Sequence, residues 1–275
     1  MPELPEVETI VRDIRPGLVG RRIESAALSH SDVLDGITRR RLLSRLTGAT
    51  ITDVTRRAKH AIIHLDSGER LVIQPGMTGS LMIHRRPLNA DEQRYAVLNL
   101  KLHRAGRLVY RDVRRLGTIR LLTPKQWDEY AARLGPEPLD PAFTAADMAA
   151  SFRKSRQAIK KVLMDQRYVV GVGNIYANEA LFAAGIDPSR RADRIPADAY
   201  ERLHRETRRI LTEAIESQGT TFRDYRTGTG EAGAFQFALK VYGREGEPCT
   251  VCGTRLTGTH TIDARITVFC HRCQA

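Results

Sequence analysis

An α+β chain of more than one domain is predicted: an N-terminal antiparallel β-sandwich with flanking helices, a helical domain, and a C-terminal β-hairpin holding cysteines. Three observations carry this expectation. Residues 20 to 125 read as short strands with alternating faces and regular turns. A proline-rich, extended stretch from Leu134 to Pro141 then separates that pattern from one of helical apolar spacing. All four cysteines fall within the last 27 of the 275 residues. The expected boundaries are 1–134 for the sandwich, 135–143 for the linker, 144–234 for the helical domain with its loop, and 235–275 for the cysteine module.

The first element is a helix, because Val7, Ile10, Val11 and Ile14 recur at the spacing of one buried face. Pro5 suits its first turn, where a missing N–H has no partner to lose, and Glu6 and Glu8 sit at the positive end of the dipole. Pro2 and Glu3 are left just outside. Ala61 to Leu65 and Leu71 to Ile73, joined by Asp66-Ser67-Gly68, predict a hairpin. Leu98 to Leu102 and Leu108 to Tyr110, joined through Arg104-Ala105-Gly106, predict a second. A short helix is expected over Thr123 to Leu134.

Past the linker, Thr144 with Asp147 three residues on reads as a capping box. Met148, Phe152, Ile159, Val162 and Leu163 then supply apolar faces for two consecutive helices. Val169 to Asn174 is a turn, with Asn174 expected to cap a helix that carries Ala177, Leu181 and Phe182 and stops at Gly185. Asp198 opens a long amphipathic helix ending near Gly219. Thr220 to Gly233 is loop, either a lid or a surface connection.

Lys plus Arg number 44 against 32 acids, a net charge of +12. That surplus favours a polyanionic partner, nucleic acid before a membrane surface. No run of 18 apolar residues and no signal-peptide core are present, so a cytoplasmic protein is expected. Cys249 and Cys252, then Cys270 and Cys273, form two Cys-x-x-Cys pairs with 17 residues between them. Such spacing matches one tetrahedral four-thiolate zinc site better than a redox pair or a disulfide framework.

Pro2 directly follows Met1, and removal of Met1 would expose a secondary amine. An α-amino group titrates near ~7.7–8, so part of it is unprotonated at neutral pH and can attack a carbonyl carbon. Glu3 beside it could move the protons that such chemistry needs. Taken alone, Pro-Glu is more often a simple helix start. The longer string Pro2-Glu3-Leu4-Pro5-Glu6-Val7-Glu8-Thr9, however, resembles the N-terminus of the formamidopyrimidine-DNA glycosylase family. The resemblance implies that Pro2 is the nucleophile at C1′ of a damaged nucleotide, that Glu3 is the acid, and that Glu6 is a further acidic member of the site.

Other segments carry the resemblance further. Val170-Gly171-Val172-Gly173-Asn174-Ile175-Tyr176-Ala177 is similar to the family's helix–two-turns–helix element, which gives Asn174 a place at the DNA backbone. Lys160 falls in a segment resembling one that holds a lysine near the site. Lys59, Arg265 and the Tyr242-Gly243-Arg244 segment match phosphate-side positions, with the cysteine hairpin as a zinc finger. Gly76-Met77-Thr78-Gly79 and Asp112 to Gly117 resemble two loops that fill the gap left by a flipped base, so Met77, Arg114 and Leu116 would be wedges.

Leu116 stands where most bacterial members have an aromatic residue, and Val113 where they have proline. Gln74-Pro75 replaces a His-Leu pair. The implied activity is excision of 8-oxoguanine and formamidopyrimidines from double-stranded DNA, with lyase β,δ-elimination, by a monomer with one structural zinc. An endonuclease VIII-like enzyme for oxidised pyrimidines remains open, as does a non-catalytic sensor of damaged DNA. Leu4-Pro5 after Glu3, and Arg114, favour the purine branch.

Overall fold

The computed structural model describes residues 2–274, and they form two compact units. The first takes the chain up to 132 together with 217–234, the second 133–216 with the chain from 235 on. This departs from the expected division in two places. The loop after the long helix belongs with the sandwich, because Thr220 and Gly228 donate backbone N–H groups to Glu6 and Asp13 of the first helix. The cysteine hairpin is no separate domain, because Phe182 of the helical region shares one apolar cluster with Val241, Cys249, Leu256, Val268 and Cys270.

In the first unit, α1 (Leu4–Leu18) lies against two four-stranded antiparallel sheets. One runs β1-β6-β7-β5, from Ile23–Leu28, Ala96–Leu102, Gly106–Asp112 and Gly79–His84; the other runs β2-β3-β4-β8, from Ile51–Arg57, His60–Leu65, Arg70–Gln74 and Thr118–Leu122. The predicted sandwich is therefore present, and both predicted hairpins fall in it, as β3–β4 and β6–β7. Val7, Ile10, Val11 and Ile14 are buried in one core with residues of both sheets. Truncating Ile14 to alanine there would cost roughly 2–5 kcal/mol by the usual measure for a filled core. Three further helices flank the sheets, α2 (Arg39–Leu46), α3 (Ala90–Arg94) and α4 (Pro124–Ala131); the last is the helix expected over Thr123 to Leu134, with Thr123 as its cap.

In the second unit, α5 (Ala145–Phe152) starts at the predicted capping box: Asp147 N–H donates to Thr144 Oγ1 at 3.2 Å and Thr144 N–H to Asp147 Oδ2 at 2.9 Å. It is followed by α6 (Ile159–Met164), α7 (Asn174–Ala184), α8 (Ala197–Glu216) and the strand pair β9 (Thr257–Thr259) and β10 (Thr267–Phe269). Asn174 is not the cap of α7. Gly173, in extended conformation, holds that position and Asn174 is the first helical residue. Among the described residues no helix is long and apolar enough to cross a membrane.

Candidate catalytic and nucleic-acid-binding site

The reactive end of the first unit is built by the start of α1. Glu3 is the N-cap in extended conformation, and its N–H donates to Glu6 Oε2 at 2.8 Å. Glu6 Oε1 accepts from Thr220 N–H, also at 2.8 Å, and Tyr225 donates its hydroxyl to the Glu6 carbonyl at 3.3 Å. Pro2, Glu3 and Glu6 are all buried. Both oxygens of Glu6 thus accept from backbone N–H groups, and the carboxylate ties the Pro2-Glu3 step to the 217–234 loop. Met1, whose removal the amine requires, lies outside the described residues.

Lys59 is buried in the two-residue turn between β2 and β3. Ala58, with φ +55, supplies the left-handed conformation such a turn requires. Two side chains brace the turn. Arg56 donates to the Ala58 carbonyl at 3.1 Å and to Glu8 at 2.8 Å. Burial would raise the Glu8 carboxyl, but hydrogen bonds and charge from Arg56 and Arg12 outweigh that and hold it below its ordinary range. On the other side, His60 Nδ1 lies 3.1 Å from the Arg57 carbonyl and Nε2 lies 2.8 Å from Tyr130 Oη. The neutral ring satisfies both bonds when Nδ1–H donates and Nε2 accepts.

Burial is the largest reason that the His60 pKa is pushed down to about 4, with the Arg120 charge adding to it. The folded protein therefore resists a proton that the unfolded chain takes up near pH 6.5. Stability from this group is complete above that pH, is lost as the pH falls towards 4, and is constant below it. The loss should reach about 3 kcal/mol. Urea unfolding of wild type and His60→Phe across about pH 4 to 7 should show this as extra acid sensitivity in wild type alone; parallel curves would remove His60 from the account.

The two predicted wedge loops form one object. A Cβ on Gly76 would meet Gly117 N and Leu116 C at 2.6 Å, so the loops abut backbone to backbone. Asp112, 1% exposed, locks them. It accepts from Thr78 Oγ1 at 2.5 Å, Gly117 N–H at 2.8 Å, Tyr110 Oη at 3.0 Å and Arg114 N–H at 3.3 Å. Met77 and Leu116 remain 44% and 50% exposed above this base, and Arg114 reaches Met77 Sδ at 3.7 Å. Large apolar side chains held in water by a rigid base are what an intercalating wedge needs.

In the second unit, Gln166 braces the glycine turn, accepting from Gly171 N–H at 2.7 Å and donating to Val172 O at 3.0 Å. Asn174 donates to Ile266 O at 3.1 Å, while Asn178 Oδ1 accepts from Val268 N–H at 2.7 Å. Lys160 is fully buried and donates to Ile266 O and Thr267 Oγ1 at 3.1 and 2.7 Å. Its ammonium fastens β10 to α6, because only polar partners make burial of that charge tolerable. Arg265 is exposed and shaped by Asp263, which accepts from its N–H and Nε at 2.9 and 3.1 Å. Glu179 gathers the backbone N–H groups of Lys240, Val241 and Tyr242 within 2.9 Å and so sets the place of Tyr242.

The four cysteine sulfurs all lie within 4.8 Å of one another, with Cys252–Cys270 at 3.5 Å and Cys249–Cys273 at 3.9 Å. A metal with bonds of about 2.3 Å to four sulfurs in a tetrahedron separates them by roughly 3.8 Å. The cluster can hold one metal ion.

The predicted residues divide between the two units, and the phosphate-side set of Lys59, Tyr242 and Arg265 is split across them. Pro2, Glu3, Glu6, Lys59, Met77, Arg114 and Leu116 belong to the first, and Lys160, Asn174, Tyr242, Arg265 and the cysteines to the second. Sequence reading missed Asp112, His60, Tyr130 and Glu179. Asp112 alone had a signal, as an acid opening a loop named for its neighbours.

Two family models match the chain: the formamidopyrimidine-DNA glycosylase N-terminal domain over residues 1–119 and the H2TH domain of the same enzymes over 134–226. Fold and site define a DNA glycosylase. A curated formamidopyrimidine-DNA glycosylase of Xanthomonas campestris pv. campestris (strain B100) is 43% identical over 274 residues, all of both chains. A Lactococcus lactis FPG mutant, solved with Fapy-dG containing DNA, superposes with a TM-score of 0.90 at 33% identity over 99% of each chain. The wild-type Lactococcus lactis enzyme, solved with DNA containing an oxidised pyrimidine, gives 0.89 at 32% identity over 99% of each. The chain belongs to the formamidopyrimidine-DNA glycosylase family.

Proposed function

We propose that the chain removes 8-oxoguanine and formamidopyrimidines from duplex DNA through Pro2 and then cleaves the resulting site by β,δ-elimination. The carrying observation is the buried Pro2-Glu3 step held outside α1 by the Glu3–Glu6 bond. With Met1 removed, burial disfavours the protonated amine and so favours the nucleophile. The nitrogen lone pair attacks C1′ and the base leaves with its bonding electrons. Glu3 supplies a proton as the sugar ring opens to the iminium, and loss of a C2′ proton then expels the flanking phosphate.

Lys59, Asn174, Arg265 and Tyr242 are assigned to the phosphate side, where contacts fix register without reading sequence. Lys160 acts at one remove, by holding β10. Met77, Arg114 and Leu116 fill the vacated stack. The four-cysteine cluster is assigned to zinc, which four thiolates hold with no open position for water, so it is structural. DNA carries the protein's location, and nothing in the site calls for a membrane.

Arg114 can donate to O2 and N3 of the cytosine left without its partner, which favours the purine reading. Single-turnover excision should be faster for 8-oxoguanine opposite cytosine than opposite adenine. Arg114→Ala should remove about 1–3 kcal/mol of that preference. Asp112→Asn, which replaces an acceptor by a donor at the base of the wedge, should narrow it as well. Leu116→Phe should be tolerated. Equal preference in wild type and Arg114→Ala would overturn the assignment. The Lactococcus complex with an oxidised pyrimidine supports a second reading, in which the pocket also takes such bases. The same assay with an oxidised-pyrimidine duplex tests it.

A further inference from the structure

The sandwich unit carries a second charged surface that the excision chemistry does not use. Two adjoining clefts, about 370 and 890 Å³, share Arg85, Arg104, Ala105 and Gly106 in their walls. Arg107 lines the smaller and Arg21 the larger. The β6–β7 turn is what gathers these side chains. Arg104 is left-handed at φ +53, and Gly106 packs so tightly that a Cβ there would sit 2.2 Å from the His84 carbonyl. Arg107 pairs in register with His84, and Arg85 follows directly.

The acids nearby are already engaged. Glu24 is held by Lys101 at 2.8 Å and His103 at 2.9 Å, Glu92 by Arg86 at 2.7 Å, and Asp13 by the Gly228 N–H at 2.9 Å. Arg21, Arg85, Arg104 and Arg107 have no ion pair among the described residues. Elsewhere on the same unit Arg15, Arg45, Arg56, Arg115 and Arg120 each have an acidic partner. The clefts are therefore a local excess of positive charge in a shaped wall.

Their position is remote from the reactive end. Strand β5 begins two residues after Met77 and reaches the clefts at His84, roughly 17 Å along the strand. Helix α1 carries Glu3 at one end and lines the larger cleft with Pro16 and Gly17, roughly 20 Å along its axis. The phosphates that flank a flipped base do not extend that far; only phosphates about five or six base pairs away, or those of another duplex, would reach the clefts.

We propose that this cleft binds the phosphate backbone of a second DNA duplex while the first is held at the lesion site. Guanidinium forks match phosphate oxygens in a bidentate geometry. Duplex DNA offers one charge per about 1.7 Å of axis, dense enough for several guanidiniums of one turn to be met together. An enzyme held to two duplexes can pass from one to the other without entering bulk solvent, which shortens a search for rare damage.

The test uses the full chain saturated with a short duplex carrying an uncleavable abasic analogue. An undamaged, labelled second duplex is added and the stoichiometry read by sedimentation velocity. Two duplexes per chain are expected, the second bound with a log–log salt slope of about −3. Combined Arg85→Glu, Arg104→Glu and Arg107→Glu should weaken the second duplex at least tenfold and leave single-turnover excision on a short lesion duplex unchanged. Arg104→Gln, a milder change, should lower the slope by about one unit. One duplex per chain at low salt would overturn the proposal, as would unchanged second binding in both variants. Excision slowed in the charge-reversed chain would place these arginines in the first interface and equally overturn it. So would a polyglutamate probe of equal charge that binds as tightly as the duplex.

Discussion

Borohydride added during reaction with an 8-oxoguanine duplex should trap a covalent protein–DNA adduct on the N-terminal peptide. An iminium between Pro2 and C1′ is reducible to a stable amine, whereas an enzyme that activates water leaves nothing to reduce. The mature chain should begin at Pro2, because retained Met1 would convert the amine to an amide with no available lone pair. Glu3→Gln separates the steps. Glu3 is 2% exposed, and its backbone N–H, not its carboxyl, makes the 2.8 Å bond to Glu6. The Glu3 side chain also accepts from the Glu6 backbone N–H in a capping box, and an amide oxygen accepts there equally, so the variant should keep the cap and DNA binding. It should lose base excision by roughly 10²–10⁴-fold, the usual weight of a positioned general acid. Some cleavage of a pre-formed abasic site should survive, where no base need leave. Full excision with Met1 attached, or an adduct mapping to Lys59 or Lys160, would rule out the proline mechanism.

Cys252→Ser should release one zinc per chain and unfold the cysteine hairpin. Strands β9 and β10 have three residues each, and two of the six buried residues of their apolar cluster are Cys249 and Cys270 of the thiol cluster. So small a core cannot stand without the metal, whose coordination supplies roughly 10–16 kcal/mol of apparent folding free energy in isolated finger peptides. Unfolding would also strip partners from buried polar groups. Lys160 would lose Thr267 and the Ile266 carbonyl, and Asn174 the same carbonyl. Elemental analysis should find zinc at one per chain in wild type and none in the variant. Hydrogen exchange should rise across 249–273, and DNA binding should weaken. Active wild-type protein free of zinc would sink this.

Local spacing explains which parts were legible in advance. The stripe Val7, Ile10, Val11 and Ile14, the Thr144–Asp147 box and the paired Cys-x-x-Cys motifs each state their geometry within a few residues. The family was legible too, because Pro2-Glu3 opens a distinctive string and the chain does belong to the glycosylase family that the string resembles. Asn174 was misplaced by one residue, since a glycine and an asparagine next to each other compete for the same cap, and the extended backbone at Gly173 takes it.

The sequence by itself determined the sandwich, the helical region, the cluster of four thiols and the helix start that follows Pro2-Glu3. Only the tertiary structure decided how these are held. Thr78 meets Asp112 across 34 residues, His60 meets Tyr130 across 70, Lys160 meets Thr267 across 107 and Glu6 meets Thr220 across 214. No periodicity encodes such pairs. A buried carboxylate or ammonium must find partners to offset lost hydration, but which distant backbone N–H or carbonyl provides them is settled only when the sheets and helices pack.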